Sequence, residues 1–316
     1  MDTQNNVLQE ENLDSLFERA DFDELESERI AAPRYSYWKS VWKTFIRSKV
    51  TVGLSIFLII LISFALIQPL YSHYDPMVAP NINKPENQYL PPSSEHIFGT
   101  DNIGNEVWDV VWAGARNSII VSFVSTAIIM VIGILVGAVW GFSKKMDKWM
   151  IEVYNVMANV PYLLLAMILS YVLGPGLGPL IFVMTCVDWV HVAYFIRTQV
   201  MIIRDREYNL ASKCLGTKTF TMVLKNILPY LVSVIVTYIS REIPLLISYE
   251  VFLSYMGLGL GTNYASLGRT ISQYRSFMTG YPHLFWIPVL MLAAIAISLY
   301  VVGQKMADAT DPRTHR

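Results

Sequence analysis

The chain has 316 residues, of which 53% are hydrophobic and 16% are charged, and its formal net charge is −1. This composition is more apolar than that of an average soluble domain, and the charge balance indicates no nucleic-acid partner. The two cysteines, Cys186 and Cys214, have no plausible disulfide partner, and His and Cys do not cluster as metal ligands do. We therefore expect neither a disulfide nor a metal site.

The first 30 residues are acidic and polar, and they lack the basic-then-apolar order of a cleaved signal peptide. Scattered Leu and Phe side chains allow a short amphipathic helix over residues 13–25, and a disordered tail is the alternative. We predict a cytoplasmic N-terminal tail over residues 1–47. The first apolar run, which follows directly, is predicted as a retained membrane helix over residues 48–71.

Six segments are apolar enough to cross the hydrocarbon core, which needs about 20 residues. They cover residues 50–70, 119–142, 153–173, 179–196, 227–247 and 284–302. The chain is therefore predicted as an all-α integral membrane protein with six transmembrane helices. After the first helix we expect an extracellular loop over residues 72–113, a core domain over residues 114–303 and a C-terminal tail over residues 304–316.

Lys and Arg residues set the predicted orientation, since they favour the cytoplasmic side. If the N-terminus is inside, the inside segments hold most of the basic residues: Arg34, Lys39, Lys43, Arg47, Lys49, Lys144, Lys145, Lys148, those between Arg197 and Lys225, Lys305, Arg313 and Arg316. The outside segments hold only Lys84, Arg269 and Arg275, with Arg116 at the outer edge of a span. We predict a multi-pass protein of the cell membrane with both termini cytoplasmic.

The sequence carries no motif typical of catalysis. It has no phosphate-cradling loop of the G-x-x-x-x-G-K-[ST] type, no Ser/His/Asp set and no dinucleotide fingerprint, and its five histidines are scattered. An enzyme is therefore disfavoured, and we expect no cofactor on this chain. Energy for any transport must come from an ion gradient or from a separate ATPase.

A polar island, EYNLASKCLGTKTFTMVLKNILP, covers residues 207–229 between two apolar spans. We predict a cytoplasmic helix over about residues 206–221, because Leu210, Ala211, Cys214 and Leu215 share one helical face. Gly216 can end this helix or allow another backbone to come close. The pattern is compatible with a surface helix on lipid head groups and with a docking helix for a soluble partner.

The island resembles the coupling helix of bacterial ABC-importer permeases, whose motif is E-A-A, a Gly four residues later and then L-P. Leu210, Ala211 and Ser212 match the E-A-A positions, followed by Gly216 and by LP at residues 228–229. Two positions depart, since Leu210 replaces the family's Glu and Ser212 replaces its second Ala. The resemblance implies that six residues contact an ATPase: Glu207, Leu210, Ala211, Ser212, Leu215 and Gly216.

Three further strings resemble the dipeptide and oligopeptide permease subunits. These are FGTD at residues 98–101 with GARNS at residues 114–118, Glu250 with LSYMGLGL at residues 253–260, and the C-terminal GQKMADATDPRTHR. Each string alone is weak, but their order along the chain matches the family. The chain is most similar to OppC-type subunits of oligopeptide importers in Gram-positive bacteria.

The resemblance implies the ABC type I importer permease fold and an assembly around it. The expected partners are an OppB-type permease, two ATP-binding subunits of the OppD and OppF types that hold ATP and Mg, an extracellular peptide-binding lipoprotein and membrane lipid. Two alternatives stay open. One is the same machine carrying dipeptides or nickel, and the other is a peptide-sensing membrane scaffold.

Four ionisable residues lie inside predicted spans, where charges are costly and usually face protein or water. Asp188 and His191 are three residues apart and share a helix face, whereas Arg241 and Glu242 point about 100° apart. In one interpretation Arg241 pairs with Asp188 or with a carboxylate of a partner subunit and fixes packing. In the other, some of the four line the translocation path.

Overall fold

The computed structural model describes residues 36–311, and the helix predicted over residues 13–25 lies outside them, as do Pro312 and Arg313 of the C-terminal string. The eleven α-helices of this part are α1 Tyr37–Ile46, α2 Lys49–Tyr71, α3 Val107–Phe142, α4 Lys144–Asn159, α5 Tyr162–Leu173, α6 Leu177–Arg204, α7 Glu207–Cys214, α8 Thr219–Met222, α9 Leu228–Tyr255, α10 Leu267–Tyr274 and α11 Pro282–Thr310. The prediction of an all-helical membrane protein is confirmed.

Five segments are long and apolar enough to cross a membrane as continuous helices: α2, α3, α6, Thr219–Tyr255 and α11. The third predicted span, over residues 153–173, is instead the bent pair α4 and α5, whose axes differ by 87°. Pro161 explains the break, because it lacks an N–H and forces the preceding residue away from helical geometry. Val160 accordingly has an extended backbone, with φ −96 and ψ 126.

The bundle has two distinct ends. The end that carries α7 and the last turns of α6 and α11 is here called the basic end, after its Lys and Arg residues. The opposite end, called the loop end, is built from residues 72–106 and 256–281. α3 begins at Val107, well before its apolar run, and its polar first turns belong to the loop end, where Asn117 donates to the Ala265 carbonyl at 2.8 Å.

A four-residue repeat of glycine lets α3 lie directly against α6. A Cβ atom at Gly133 would come within 2.5 Å of the Val192 side chain, and one at Gly137 within 2.3 Å of the Ala193 carbonyl oxygen. Gly141 is similarly close to Val200. The four-residue spacing makes this close approach possible, because small residues allow backbones in membranes to pack tightly.

α4 is fastened to this pair of helices at the basic end. Arg197 of α6 donates two hydrogen bonds to the Asp147 carboxylate, from Nε at 2.7 Å and from Nη2 at 2.8 Å. The indole of Trp140 on α3 donates to the same carboxylate at 2.7 Å. Because a bidentate Arg–carboxylate pair is geometrically specific, Asp147 fixes where α4 leaves the bundle.

The glycine contact generates a stability prediction. Gly137→Ala should destabilise the chain by about 1–3 kcal/mol, because the added methyl group meets backbone atoms of Ala193 that cannot move aside. The matched control is Gly53→Ala on α2, where no atom lies within 4 Å of the new Cβ. Thermal unfolding of the purified chain in detergent measures both variants. A melting temperature equally unaffected by both would contradict the close approach.

Candidate functional site

α7 is a short helix with a sharply defined end. Gly216 has φ +80, its N–H donates to the Lys213 carbonyl at 3.0 Å, and the N–H of Thr217 donates to the Ser212 carbonyl at 3.2 Å. This is the Schellman arrangement, in which a left-handed residue terminates the helix. The helix predicted over residues 206–221 is therefore two helices, α7 and α8, because Gly216 turns the chain between them.

One buried side chain holds α7 against the end of α6. Asn209 is 1% exposed, and its Nδ2 donates to the Ile203 carbonyl at 3.0 Å. Asn209 is not among the site residues predicted from the sequence. The sequence does carry a signal for this role, because Asn209 is a polar residue on the helix face away from Leu210 and Leu215. A polar side chain on a buried face needs a hydrogen-bond partner, which the end of α6 supplies here. α7 should consequently move together with α6.

The other side of this segment is exposed and partly apolar. Leu215 is 86% exposed and Phe220 is 58% exposed, and both stand among polar residues. We define the coupling surface as the exposed residues Glu207, Leu210, Ala211, Leu215, Gly216 and Phe220. Ser212, in contrast, is half-buried and donates to the Thr217 hydroxyl at 3.0 Å. Exposed apolar side chains grouped in this way are typical of a docking site.

A π-helical turn, Val223–Ile227, joins α8 to α9. The N–H of Leu228 donates to the Val223 carbonyl, five residues back, just before Pro229, which has no N–H to donate. Val223 and Ile227 are buried within the bundle core. The coupling surface is thus connected to α9 by a continuous, though irregular, helical segment.

Inside the bundle, α6 and α9 bring two carboxyl groups together. Asp188 and Glu242 are both buried and lie close enough to influence each other electrostatically. His191 lies beside them, with its Nδ1 3.6 Å from Asp188 Oδ1, as the three-residue spacing predicts. The rings of Tyr162 and Tyr238 pack against the same core.

Arg241 does not belong to this group. Its side chain is exposed, and none of the ion pairs within residues 36–311 joins it to Asp188. The predicted Arg241–Asp188 pair is wrong, because Glu242, one residue later and about 100° around the helix, takes the inward position. Arg241 instead shares an exposed face of α9 with Thr237 and Ser248. Leu245 is also exposed on this face, so the charge of Arg241 is the feature that is unfavourable against lipid and suits a partner helix or an aqueous path.

Two of the three strings that resemble the peptide permeases lie at the loop end, whereas the C-terminal string lies at the end of α11, at the basic end. Asp101 of FGTD accepts from the backbone N–H groups of Ile103 and Asn105 and from the Tyr274 hydroxyl, the last at 3.0 Å. Burial and, next, the charge of Asp101 raise the pKa of Tyr74 to about 12. Burial and then Asp101 also hold the pKa of Tyr274 well above its usual value, so its hydroxyl stays a donor.

Glu250 and GARNS contact the other end of the same helix, α10. Glu250 is fully buried, and its Oε1 accepts from the Ser254 hydroxyl at 2.8 Å and from the Ser266 hydroxyl at 3.0 Å. A Cβ at Gly114 of GARNS would lie 3.0 Å from the backbone nitrogen of Leu267. Glu250 and GARNS thus contact the start of α10, while Asp101 contacts its end. These two strings therefore supply buried contacts within the loop end.

Metal chemistry finds no support in the described part of the chain. Within residues 36–311 no three His, Cys, Asp or Glu side chains are arranged to hold a metal ion. Cys186 and Cys214 are both free thiols.

Two protein families and several known proteins are similar to this chain. The family described as "Binding-protein-dependent transport system inner membrane component" matches residues 130–316, and the "N-terminal TM domain of oligopeptide transport permease C" matches residues 36–92. The chain is 49% identical over 294 residues to the oligopeptide transport system permease protein AmiD of Streptococcus pneumoniae, which covers 93% of this chain and 96% of that protein.

Two relatives come from Bacillus subtilis. The dipeptide transport system permease protein DppC is 32% identical, with 92% of this chain and 90% of that protein covered. The oligopeptide transport system permease protein OppC is 31% identical, with 96% of this chain and 98% of that protein covered. Among solved structures, inward-facing MetNI methionine ABC transporter matches with a TM-score of 0.48 at 20% identity, covering 62% of this chain and 94% of that chain.

Proposed function

Since this chain belongs to the family of inner membrane components of binding-protein-dependent transport systems, we propose that it is the permease subunit of an ATP-driven oligopeptide importer. It forms half of the translocation path and couples that path to a cytoplasmic ATPase. The observation that carries the proposal is the coupling surface, an exposed, partly apolar patch on a helix firmly seated against α6. The chain itself then needs no catalytic residue.

The proposed orientation places the basic end in the cytoplasm. The distribution of Lys and Arg supports it, because positive residues are retained on the inner side. Both termini are then cytoplasmic, and the loop end faces outward. The buried network around Asp101 and Glu250 gives that outer face a rigid frame, which suits docking of an extracellular peptide-binding lipoprotein.

The proposed assembly has four further subunits. An OppB-type permease completes the translocation path. The exposed face of α9 around Arg241 suits a position at the interface with that permease or along the path. Two ATP-binding subunits, of the OppD and OppF types, hold ATP and Mg, and the coupling surface contacts one of them. The extracellular lipoprotein delivers peptide to the loop end.

Coupling of ATP hydrolysis to transport follows from the different affinities of ATP for the open and closed pairs of ATPase subunits. ATP favours the closed pair of ATPase subunits, so it shifts the equilibrium of whatever is rigidly attached to them. The Asn209 bond and the contact of α3 with α6 transmit a displacement of α7 to the membrane helices. Closing the ATPases would open the permease pair outward, and hydrolysis would restore the inward-facing state.

Dipeptides are the second candidate cargo. The relation to the dipeptide permease DppC of B. subtilis favours them, since it is as strong as the relation to OppC from the same organism. The test is uptake of labelled peptides of different lengths, with labelled nickel alongside, in cells with and without this chain and with all partners present. Loss for longer peptides supports the proposal, loss for dipeptides or nickel alone changes the cargo, and no loss points to a sensing scaffold.

The coupling surface generates a first functional prediction. Gly216→Asp should abolish peptide uptake while membrane insertion stays normal, because it puts a negative charge at the end of α7 and forces the helix from the ATPase groove. Uptake and membrane content are measured in the same cells.

Gly174→Asp is the matched control for that variant. Gly174 also has φ +80 with no atom within 4 Å of a new Cβ, but it lies at the loop end. The control should retain more uptake than Gly216→Asp. Normal uptake by a well-expressed Gly216→Asp protein would disprove the coupling role.

Arg241 generates a second prediction. If its guanidinium lines the path, Arg241→Ala should lower uptake of acidic relative to basic peptides by about fivefold, as a charge interaction of about 1 kcal/mol requires. Arg241→Lys keeps the charge and should keep the preference. Competition among acidic, neutral and basic peptides of equal length measures it. Equal loss for all three would indicate a packing role instead.

A further inference from the structure

A cavity of about 320 Å³ lies at the basic end, between the start of α2 and the last turns of α11. Its lining residues are Thr44, Phe45, Arg47, Ser48, Thr51, Lys305, Asp308 and Ala309. Neither the coupling surface nor the carboxyl groups of α6 and α9 contribute to it. The transport cycle proposed above therefore does not use this cavity.

The cavity is lined by two cations and one anion. Lys305 is held in place by Asp308, with its Nζ 3.2 Å from Asp308 Oδ2. Arg47 is exposed, and no ion pair within residues 36–311 involves its guanidinium. The charges of the lining residues thus leave an excess of one positive charge, and Lys43 and Lys49 flank it in sequence. This net positive charge favours binding of an anion in the cavity.

Hydroxyl groups complete the polar lining. Ser48 caps α2, and its Oγ accepts from the Thr51 N–H at 3.3 Å, so its own hydroxyl hydrogen can point elsewhere. Thr44 offers a second hydroxyl from the end of α1. Two cations and two hydroxyl donors in one cavity provide the contacts that phosphate oxygens accept.

Neighbouring residues place the cavity at the depth of lipid head groups. α2 and α11 are membrane helices that begin and end at this level. The Trp42 ring is exposed and stacks on Phe45 at 5.9 Å, and tryptophan prefers the membrane–water boundary. Val50, one residue into α2, is 71% exposed and begins the apolar surface of that helix. Lipid chains can therefore run directly beside the polar cavity.

We propose that this cavity binds the phosphate of an anionic phospholipid. Arg47 and Lys305 neutralise the phosphate, Ser48 and Thr44 donate hydrogen bonds to it, and the acyl chains lie along the exposed face of α2. Basic pockets between membrane helices bind anionic head groups in this manner. The bound lipid would join the first and last membrane helices at the basic end.

The test uses the full-length chain in mild detergent with phosphatidylglycerol, phosphatidylcholine or inorganic phosphate added. Native mass spectrometry counts bound lipid, and thermal unfolding measures stabilisation. The double variant Arg47→Gln and Lys305→Gln should lose affinity for phosphatidylglycerol by about 30-fold, from two charges near an anionic group. Arg47→Gln alone should show a smaller loss, and since that side chain is exposed its removal leaves the fold intact.

The matched control is Lys144→Gln with Lys145→Gln, which removes two exposed cations from the same end without touching the cavity. Retained phosphatidylglycerol binding in this control supports a specific site. Equal loss in both double variants would show general surface attraction and overturn the proposal. Stabilisation by inorganic phosphate as strong as by phosphatidylglycerol, or no preference over phosphatidylcholine, would also overturn a lipid site.

Discussion

The contact of α3 with α6 is the interaction on which the described structure depends. Gly133, Gly137 and Gly141 leave no room between the two backbones, so any side chain in their place would separate the helices. α3 carries GARNS into the loop end, while α6 carries Asp188 inside the bundle and ends at the seat of α7. A single close contact between helices thus relates the loop end, the bundle interior and the coupling surface.

The two ends of the bundle differ in the contacts that their side chains make. At the loop end, the buried carboxylate of Asp101 accepts from N–H and hydroxyl donors, and one oxygen of Glu250 accepts from two hydroxyls. At the basic end, apolar side chains such as Leu215 stay exposed. The loop end also exposes apolar side chains, among them Ile82 and Ile97, so the two ends differ in their buried polar contacts and not in apolar exposure.

Two adjacent residues of α9 face different surroundings, one inside the bundle and one outside it. Arg241 and Glu242 are adjacent in sequence, yet Glu242 turns inward to Asp188 and Arg241 turns outward. Helical geometry predicted that they diverge but not which one faces the core. A guanidinium stays charged and needs solvent or a partner, so exposure of Arg241 on α9 costs less than its burial in the bundle core would.

The sequence by itself determined the helical class, the approximate positions of the spans and the family, the last from four short strings that the similarity to AmiD and OppC confirms. These properties depend on local hydropathy and on residue order. Only the tertiary structure decided that Pro161 breaks the third span, that Asn209 seats α7 and that Asp188 meets Glu242. Such features depend on which faces of distant helices meet, and a linear pattern specifies the faces without specifying their neighbours.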